Sequence, residues 1–197
     1  DYADRRILPG FIDIHCHGGG GADFMDGTKE AYITAAEIHA KHGTTTLLPT
    51  LTTSANEDFV NSFKIFNSLN SKEINGAKMP GIHMEGPYFN AAQGVAQDPR
   101  YLREPKKEDY ERIYNAAEGA IMRWSVAPEL DGAAEFGAFL KKNGVLASIG
   151  HTDAVYEDVV KAYESGFNLL THFYSGMSTI IRIDGYRKPG VIESGYI

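Results

Sequence analysis

The chain has 197 residues, 43% of them hydrophobic, which is enough to bury one sizeable core. Its formal net charge of -7 argues against nucleic acid and anionic membrane as main partners, since both require basic patches, but leaves open a small anionic substrate. The single cysteine, Cys16, excludes an intramolecular disulfide and fits a reducing cytoplasm, and neither a signal peptide nor the ~20 apolar residues of a membrane span is visible.

Both ends, Asp1-Tyr2-Ala3-Asp4-Arg5-Arg6 and Glu193-Ser194-Gly195-Tyr196-Ile197, read as interior to a longer protein. The first element is the apolar run Phe11-Ile12-Asp13-Ile14-His15-Cys16-His17, broken by Gly18 to Gly21. As a strand it alternates faces with period two, so His15 and His17 point the same way and Cys16 the other. Residues 28–42 follow as a helix with Ala31, Ala35 and Ile38 on one face, stopped by Gly43. The β-branched run 44–50 is a second strand. Ser54-Ala55-Asn56-Glu57 reads as a capping box, opening a helix from Ser54 to about Asn70 that carries Phe59, Phe63 and Phe66 at helical spacing.

A third strand, about 78–84, delivers Glu85-Gly86-Pro87. Residues 88–105 form a loop whose length is uncommon in compact domains and often functional. Helices over about 106–118 and 131–143, strands over about 121–127 and 145–149, a helix capped by Thr152 and running to Ser165, and a strand over 167–171 complete the order. Strands and helices alternate strictly, with short connections and a glycine after most helices. This implies parallel strands with right-handed crossovers. A doubly wound sheet fits that pattern, but candidate ligands lie at the C-terminal ends of at least four strands. That favours an incomplete (β/α)8 TIM-type barrel with about six of eight βα units. Residues 10–197 then form the partial barrel, and residues 1–9 a linker that precedes it. An open barrel leaves two unpaired sheet edges, so residues 1–197 alone are expected to aggregate.

His15, His17, Glu85, His151 and His172 each sit where a strand gives way to a loop. Three or more imidazoles and a carboxylate around one pocket suit a divalent ion: zinc, iron(II), cobalt or manganese. A histidine at a strand end also serves as a hydrogen-bonded structural residue, and that reading stays open for each of them singly. His39 and His42 close the first helix, where imidazole suits the dipole. His83 belongs to a deeper, packed layer, and Cys16 is a buried small apolar group. Asp153 reads as a helix cap.

Pro9-Gly10-Phe11-Ile12-Asp13-Ile14-His15-Cys16-His17-Gly18 resembles the barrel opening of the amidohydrolase superfamily. His42-Gly43-Thr44-Thr45, Gly81-Ile82-His83-Met84-Glu85-Gly86-Pro87, Ala127-Pro128-Glu129, Gly150-His151-Thr152 and Thr171-His172-Phe173-Tyr174 resemble, in order, its N-acetylglucosamine-6-phosphate deacetylase family. The resemblance implies that residues 1–9 are the end of an N-terminal β-sandwich segment or linker and that 10–197 are the catalytic barrel; it implies that Glu85, His151 and His172 hold the main metal, and that His15 and His17 support a second. It implies a substrate contact at Ala96-Gln97. Ser175-Gly176 stand where the family commonly has Asn-Ala. Arg187 matches an arginine that binds the sugar phosphate of a neighbouring subunit, which implies a homodimer. The implied reaction is hydrolysis of N-acetylglucosamine 6-phosphate to glucosamine 6-phosphate and acetate in the cytoplasm. The family's acid–base aspartate has no match in 1–197 and is expected beyond Ile197, so the isolated segment is expected to be inactive. Two alternatives remain: another N-acyl sugar phosphate such as N-acetylgalactosamine 6-phosphate, or a catalytically silent metal-binding fragment.

Overall fold

The computed structural model describes residues 6–70, 72, 74–94 and 96–197. Six strands pair side by side in chain order, all parallel. They are β1 (Phe11–Cys16), β2 (Thr44–Thr52), β3 (Ile82–Glu85), β4 (Ile121–Val126), β5 (Leu146–Ile149) and β6 (Phe167–Leu170). Between them run α1 (Lys29–Lys41), α2 (Asn56–Asn67), α3 (Lys107–Ala116), α4 (Ala133–Lys142) and α5 (Tyr156–Ser165). A doubly wound sheet reverses its strand order partway. This sheet never does, which makes it the incomplete (β/α)8 barrel.

The sheet curls strongly. Arg123 on β4 donates to the Ile14 carbonyl of β1 and to the Thr171 hydroxyl just past β6, both at 2.9 Å. Period-two alternation sorts the side chains of each strand. On β4, Arg123 and Ser125 point into the lumen while Trp124 and Val126 point out, and all four are buried. Trp124 packs edge-on to Phe136 of α4 at 4.9 Å and stacks on Tyr88 at 5.8 Å; its indole N–H donates to the Gly86 carbonyl at 2.8 Å. On β3, His83 and Glu85 face inward and Met84 outward. The lumen is therefore a polar layer, in contrast to the branched apolar filling usual in such barrels. His83 belongs to that layer, bonded to Thr50 at 3.1 Å and Ser125 at 2.7 Å, with burial and the nearby Arg123 holding its pKa well below the usual range.

Several boundaries differ from the sequence reading. The second helix starts at Asn56, with Ala55 as its cap, because the Ser54 hydroxyl bonds the Asp58 carboxylate instead of a backbone N–H. It ends at Asn67 rather than about 70. α5 starts at Tyr156, with Val155 as its cap residue, because the Thr152 hydroxyl donates to Glu129 at 2.5 Å. Asp153 is accordingly not a helix cap. β3 is shorter than expected: Lys78 makes an isolated bridge to Thr46, and Pro80, lacking an N–H, breaks the ladder before Ile82. Beyond β6 the chain adds an unanticipated hairpin, Ile181–Ile183 paired with Tyr186–Lys188, and a short helix α6 (Val191–Ser194). Of the expected 1–9 linker, residues 1–5 lie outside the described residues and 6–9 form no regular element.

Candidate metal centre

Glu85 is the last residue of β3 and is 2% exposed. Four imidazoles converge on its carboxylate. His172 Nε2 and His151 Nε2 lie 3.0 and 3.2 Å from Oε1; His15 Nε2 lies 3.2 Å from Oε1, and His17 Nε2 3.1 Å from Oε2. Each comes from the C-terminal end of a parallel strand: His15 and His17 from β1, His151 past β5, His172 past β6. The sequence reading named these five, and the fold brings all five together.

The far side of two of these rings is fixed. His151 Nδ1 lies 2.8 Å from the Gln93 carbonyl, and His172 Nδ1 lies 2.8 Å from the Ser175 carbonyl. A carbonyl only accepts, so each Nδ1 carries the proton, and in the neutral ring Nε2 presents a lone pair. Those two Nε2 atoms stand 3.0 Å apart, both facing Glu85 Oε1. Three lone pairs aimed at one point repel unless a cation lies among them, and a backbone carbonyl behind a ligand imidazole is the usual outer support of a metal site. The donor set therefore fits a divalent ion. Both histidines also sit in the left-handed backbone region, His151 at φ 49° and His172 at φ 34°, a strain that persists only where the surroundings enforce it.

The charge balance agrees. Burial alone would raise the Glu85 pKa, but the four surrounding imidazoles more than reverse it and hold the carboxyl far below the usual range. His17 is pushed up chiefly by its contact with Glu85. Burial resists charge on His172, yet the adjacent Glu85 still raises it. The pocket thus demands positive charge. Two ligand groups share Glu85, namely Glu85-His151-His172 and His15-His17-Glu85, each with its donor atoms within 4.8 Å of one another. A third group of that kind, Asp13-Cys16-His39, lies apart from them. There the Cys16 thiol and His39 Nε2 both reach the Gly18 carbonyl, at 3.2 and 3.0 Å, so His39 is a hydrogen-bonding residue as well as a helix-end one. Cys16 is buried as expected, and burial raises its pKa.

The candidate ligands open onto a cavity of ≈ 630 Å³ that Ala96, Gln97 and Ser175 also line. The Gln97 amide donates to Glu85 Oε2 at 3.2 Å and accepts from the Thr53 N–H at 2.9 Å. Gly176 lies against both fixed rings: a Cβ there would be 3.3 Å from His151 Nδ1, and its carbonyl accepts from the Thr152 N–H at 3.0 Å. Arg187 is not brought to this cavity. It lies exposed on the 181–188 hairpin, opposite Arg182.

The amidohydrolase family matches residues 6–191. The chain belongs to the amidohydrolase family. An N-acetylglucosamine-6-phosphate deacetylase of Bacillus subtilis is 34% identical over 194 residues, 96% of this chain and 48% of the relative. An N-acetylgalactosamine-6-phosphate deacetylase of Escherichia coli O157:H7 is 28% identical, over 98% of this chain and 50% of that protein. Among solved structures, a Mycobacterium smegmatis N-acetyl-D-glucosamine-6-phosphate deacetylase mutant in complex with N-acetyl-D-glucosamine-6-phosphate matches with TM-score 0.84 and 33% identity, over 95% of this chain and 47% of that one. The chain spans about half the length of the curated relatives it matches. The family is metal-dependent, which agrees with the donor set.

In this amidohydrolase the residues that aim the ligands are mostly ones the sequence reading passed over. Glu129 accepts from the Asn90 amide at 3.0 Å, the Thr152 hydroxyl and the Asp153 N–H at 2.8 Å, tying the long loop to the His151 turn. The Asn90 N–H donates to the His151 carbonyl at 3.0 Å, and the Gln93 amide donates to Asp153. Glu129 was visible as part of Ala127-Pro128-Glu129. The carbonyls of Gln93 and Ser175 carry no signal in sequence, because every residue has one.

Proposed function

We propose that this amidohydrolase chain is the metal-binding part of an enzyme that hydrolyses the acetamide of N-acetylglucosamine 6-phosphate to glucosamine 6-phosphate and acetate. The observation that carries the reading is the convergence of four imidazoles on one buried carboxylate, in a chain whose matched relatives include several proteins of that name. Glu85, His151 and His172 would hold one divalent ion, and zinc, iron, cobalt and manganese all suit that donor set. His15 and His17, sharing Glu85, would hold a second. When bound, the ion supplies Lewis acidity, lowering the pKa of a water and polarising an amide carbonyl.

The chain's own residues do the rest. The carbonyls of Gln93 and Ser175 keep the protons of His151 and His172 on the far nitrogens. Ala96, Gln97 and Ser175 line the cavity in which the sugar would be oriented, with Gly176 packed against the His151 and His172 rings. Asp153 is engaged by the Gln93 amide, so protonation of the leaving amine is assigned to an aspartate outside residues 1–197. Arg187, exposed on its hairpin, suits the phosphate of a sugar in a partner subunit's site, since its planar fork matches phosphate geometry. That role makes the protein a homodimer. Among the described residues no helix is long and apolar enough to cross a membrane, and we place the enzyme in the cytoplasm.

A steady-state comparison of the two N-acetylhexosamine 6-phosphates on the metal-loaded, full-length protein tests the reading. A clear preference for the glucosamine epimer is expected. Equal or reversed preference favours the galactosamine epimer, the second reading supported by the Escherichia coli relative. Turnover of neither returns the chain to a silent metal-binding domain.

A further inference from the structure

Among the described residues Arg123 is the one buried lysine or arginine, 2% exposed, and nothing in the proposed chemistry uses it. Among the described residues no ion pair joins it to a carboxylate. Its guanidinium instead spreads over neutral acceptors. Nη1 donates to the Ile14 carbonyl at 2.9 Å; Nη2 donates to the Ser148 hydroxyl at 3.1 Å and the Thr171 hydroxyl at 2.9 Å; among the described residues Nε has no hydrogen-bond partner. Burying a charge on such terms is costly, and an apolar side chain of similar volume would fill the space at less expense.

The acceptors explain the choice. Ile14 immediately precedes His15, Thr171 immediately precedes His172, and Ser148 lies on β5, three residues before His151. Among the described residues β1 and β6 are the two free edges of the sheet and make no backbone ladder with each other. Arg123 is thus a side-chain link between the edge carrying His15 and His17 and the strands carrying the other two ligands. The link continues inward: the Thr171 hydroxyl bonds those of Ser148 at 2.7 Å and Ser125 at 2.6 Å, and Ser125 bonds His83 at 2.7 Å, two residues before Glu85. A planar fork can serve strands on both sides of a lumen at once; an ammonium on a flexible stem holds no such fixed geometry.

We propose that Arg123 is a positioning residue of the metal centre: its guanidinium sets the spacing between the β1 histidines and the His151 and His172 turns. This inference rests on the metal reading above. The test is titration of cobalt(II) into metal-free, full-length protein, followed by equilibrium affinity and by the visible absorption of the bound ion. In Arg123→Met the affinity is expected to fall about 10–100-fold, the usual effect of removing an outer support, with a changed absorption band. Arg123→Lys, which keeps the charge but not the fork, is expected to stay within about threefold of the methionine variant. Wild-type affinity and band in soluble Arg123→Met, or full rescue by lysine, overturns the proposal while leaving the metal reading intact. A wild type that takes up no cobalt overturns both. If Arg123→Met yields no soluble protein, Thr171→Val removes one Nη2 acceptor at constant shape; an affinity loss of about tenfold supports the proposal and an unchanged affinity and band overturns it.

Discussion

The pair His151–His172 and the pair His15–His17 meet the same carboxylate but are held by different means. The first two rings are locked from behind by main-chain carbonyls, on strained left-handed backbone, with the His151 and His172 side chains 6% and 27% exposed. Among the described residues neither ring of the second pair makes such a hydrogen bond; the Thr50 main chain lies near the His17 ring, and the His15 and His17 side chains are 19% and 40% exposed. Outer support orients a ligand and sharpens affinity. The difference therefore predicts two unequal half-sites, a tight one at His151–His172 and a looser one at His15–His17, joined through Glu85.

The largest effect falls on that joint. Glu85→Ala should abolish metal uptake at both halves and reduce activity by more than the ~10–100-fold that outer-shell changes cost. An ion retained at wild-type affinity, measured by elemental analysis, would break the idea of a shared ligand. Next come the two pairs taken separately. His151→Ala should lose the tight ion, whereas His17→Ala should keep one ion per chain with affinity near that of the wild type. Isothermal titration distinguishes them, and loss of all binding in His17→Ala would make the half-sites equal.

A smaller effect comes through the loop behind His151. Asp109 accepts from Tyr88, Arg103, Asn56 and Arg112, anchoring both ends of that loop. Burial would raise the Asp109 pKa, but bonds from Arg103, Asn56 and Arg112 pull it down to about 2. A depressed carboxylate stabilises the fold above its ordinary pKa near 4, and that stability is lost as pH falls towards about 2. Asp109→Asn should cost about 1–2 kcal/mol at neutral pH after allowance for solvent screening, and should flatten the fall in Tm between pH ~4 and ~2. It should loosen the tight half-site and spare the other. An unchanged Tm profile in that window would remove Asp109 as the anchor. The smallest effect is expected of Ser175→Ala, within about 0.5 kcal/mol, because His172 is held by the carbonyl of residue 175 and not by its hydroxyl.

The architecture was legible in sequence wherever period and punctuation agreed. Alternation along β1 put His15 and His17 on one face, and glycines after α1 and α5 marked the turns into β2 and β6. Ser54 and Thr152 misled, because a hydroxyl beside a helix start looks like a cap until a carboxylate claims it; Asp58 and Glu129 do so here. The 181–188 hairpin was missed because its three-residue strands are too short to show a period. Within the site, the candidate ligands were readable as residue types at strand ends. Their supports were not, since two are main-chain oxygens brought in by tertiary structure. Arg123 and Ser125 were readable in principle: polar residues at alternate positions of an apolar strand are the mark of a polar lumen.

The carbonyl of Gln93 has a consequence for how such a protein can vary. An oxygen that any residue supplies places little constraint on which amino acid stands at position 93, but a strict one on where that position falls along the loop. Substitutions there leave the acceptor in place. Inserting or deleting a single residue between Asn90 and Gln93 presents a different carbonyl, turned another way, to His151. As an acceptor, position 93 is tolerant of spelling and intolerant of length, while the amides of Asn90 and Gln93, bonded to Glu129 and Asp153, add a separate demand on identity.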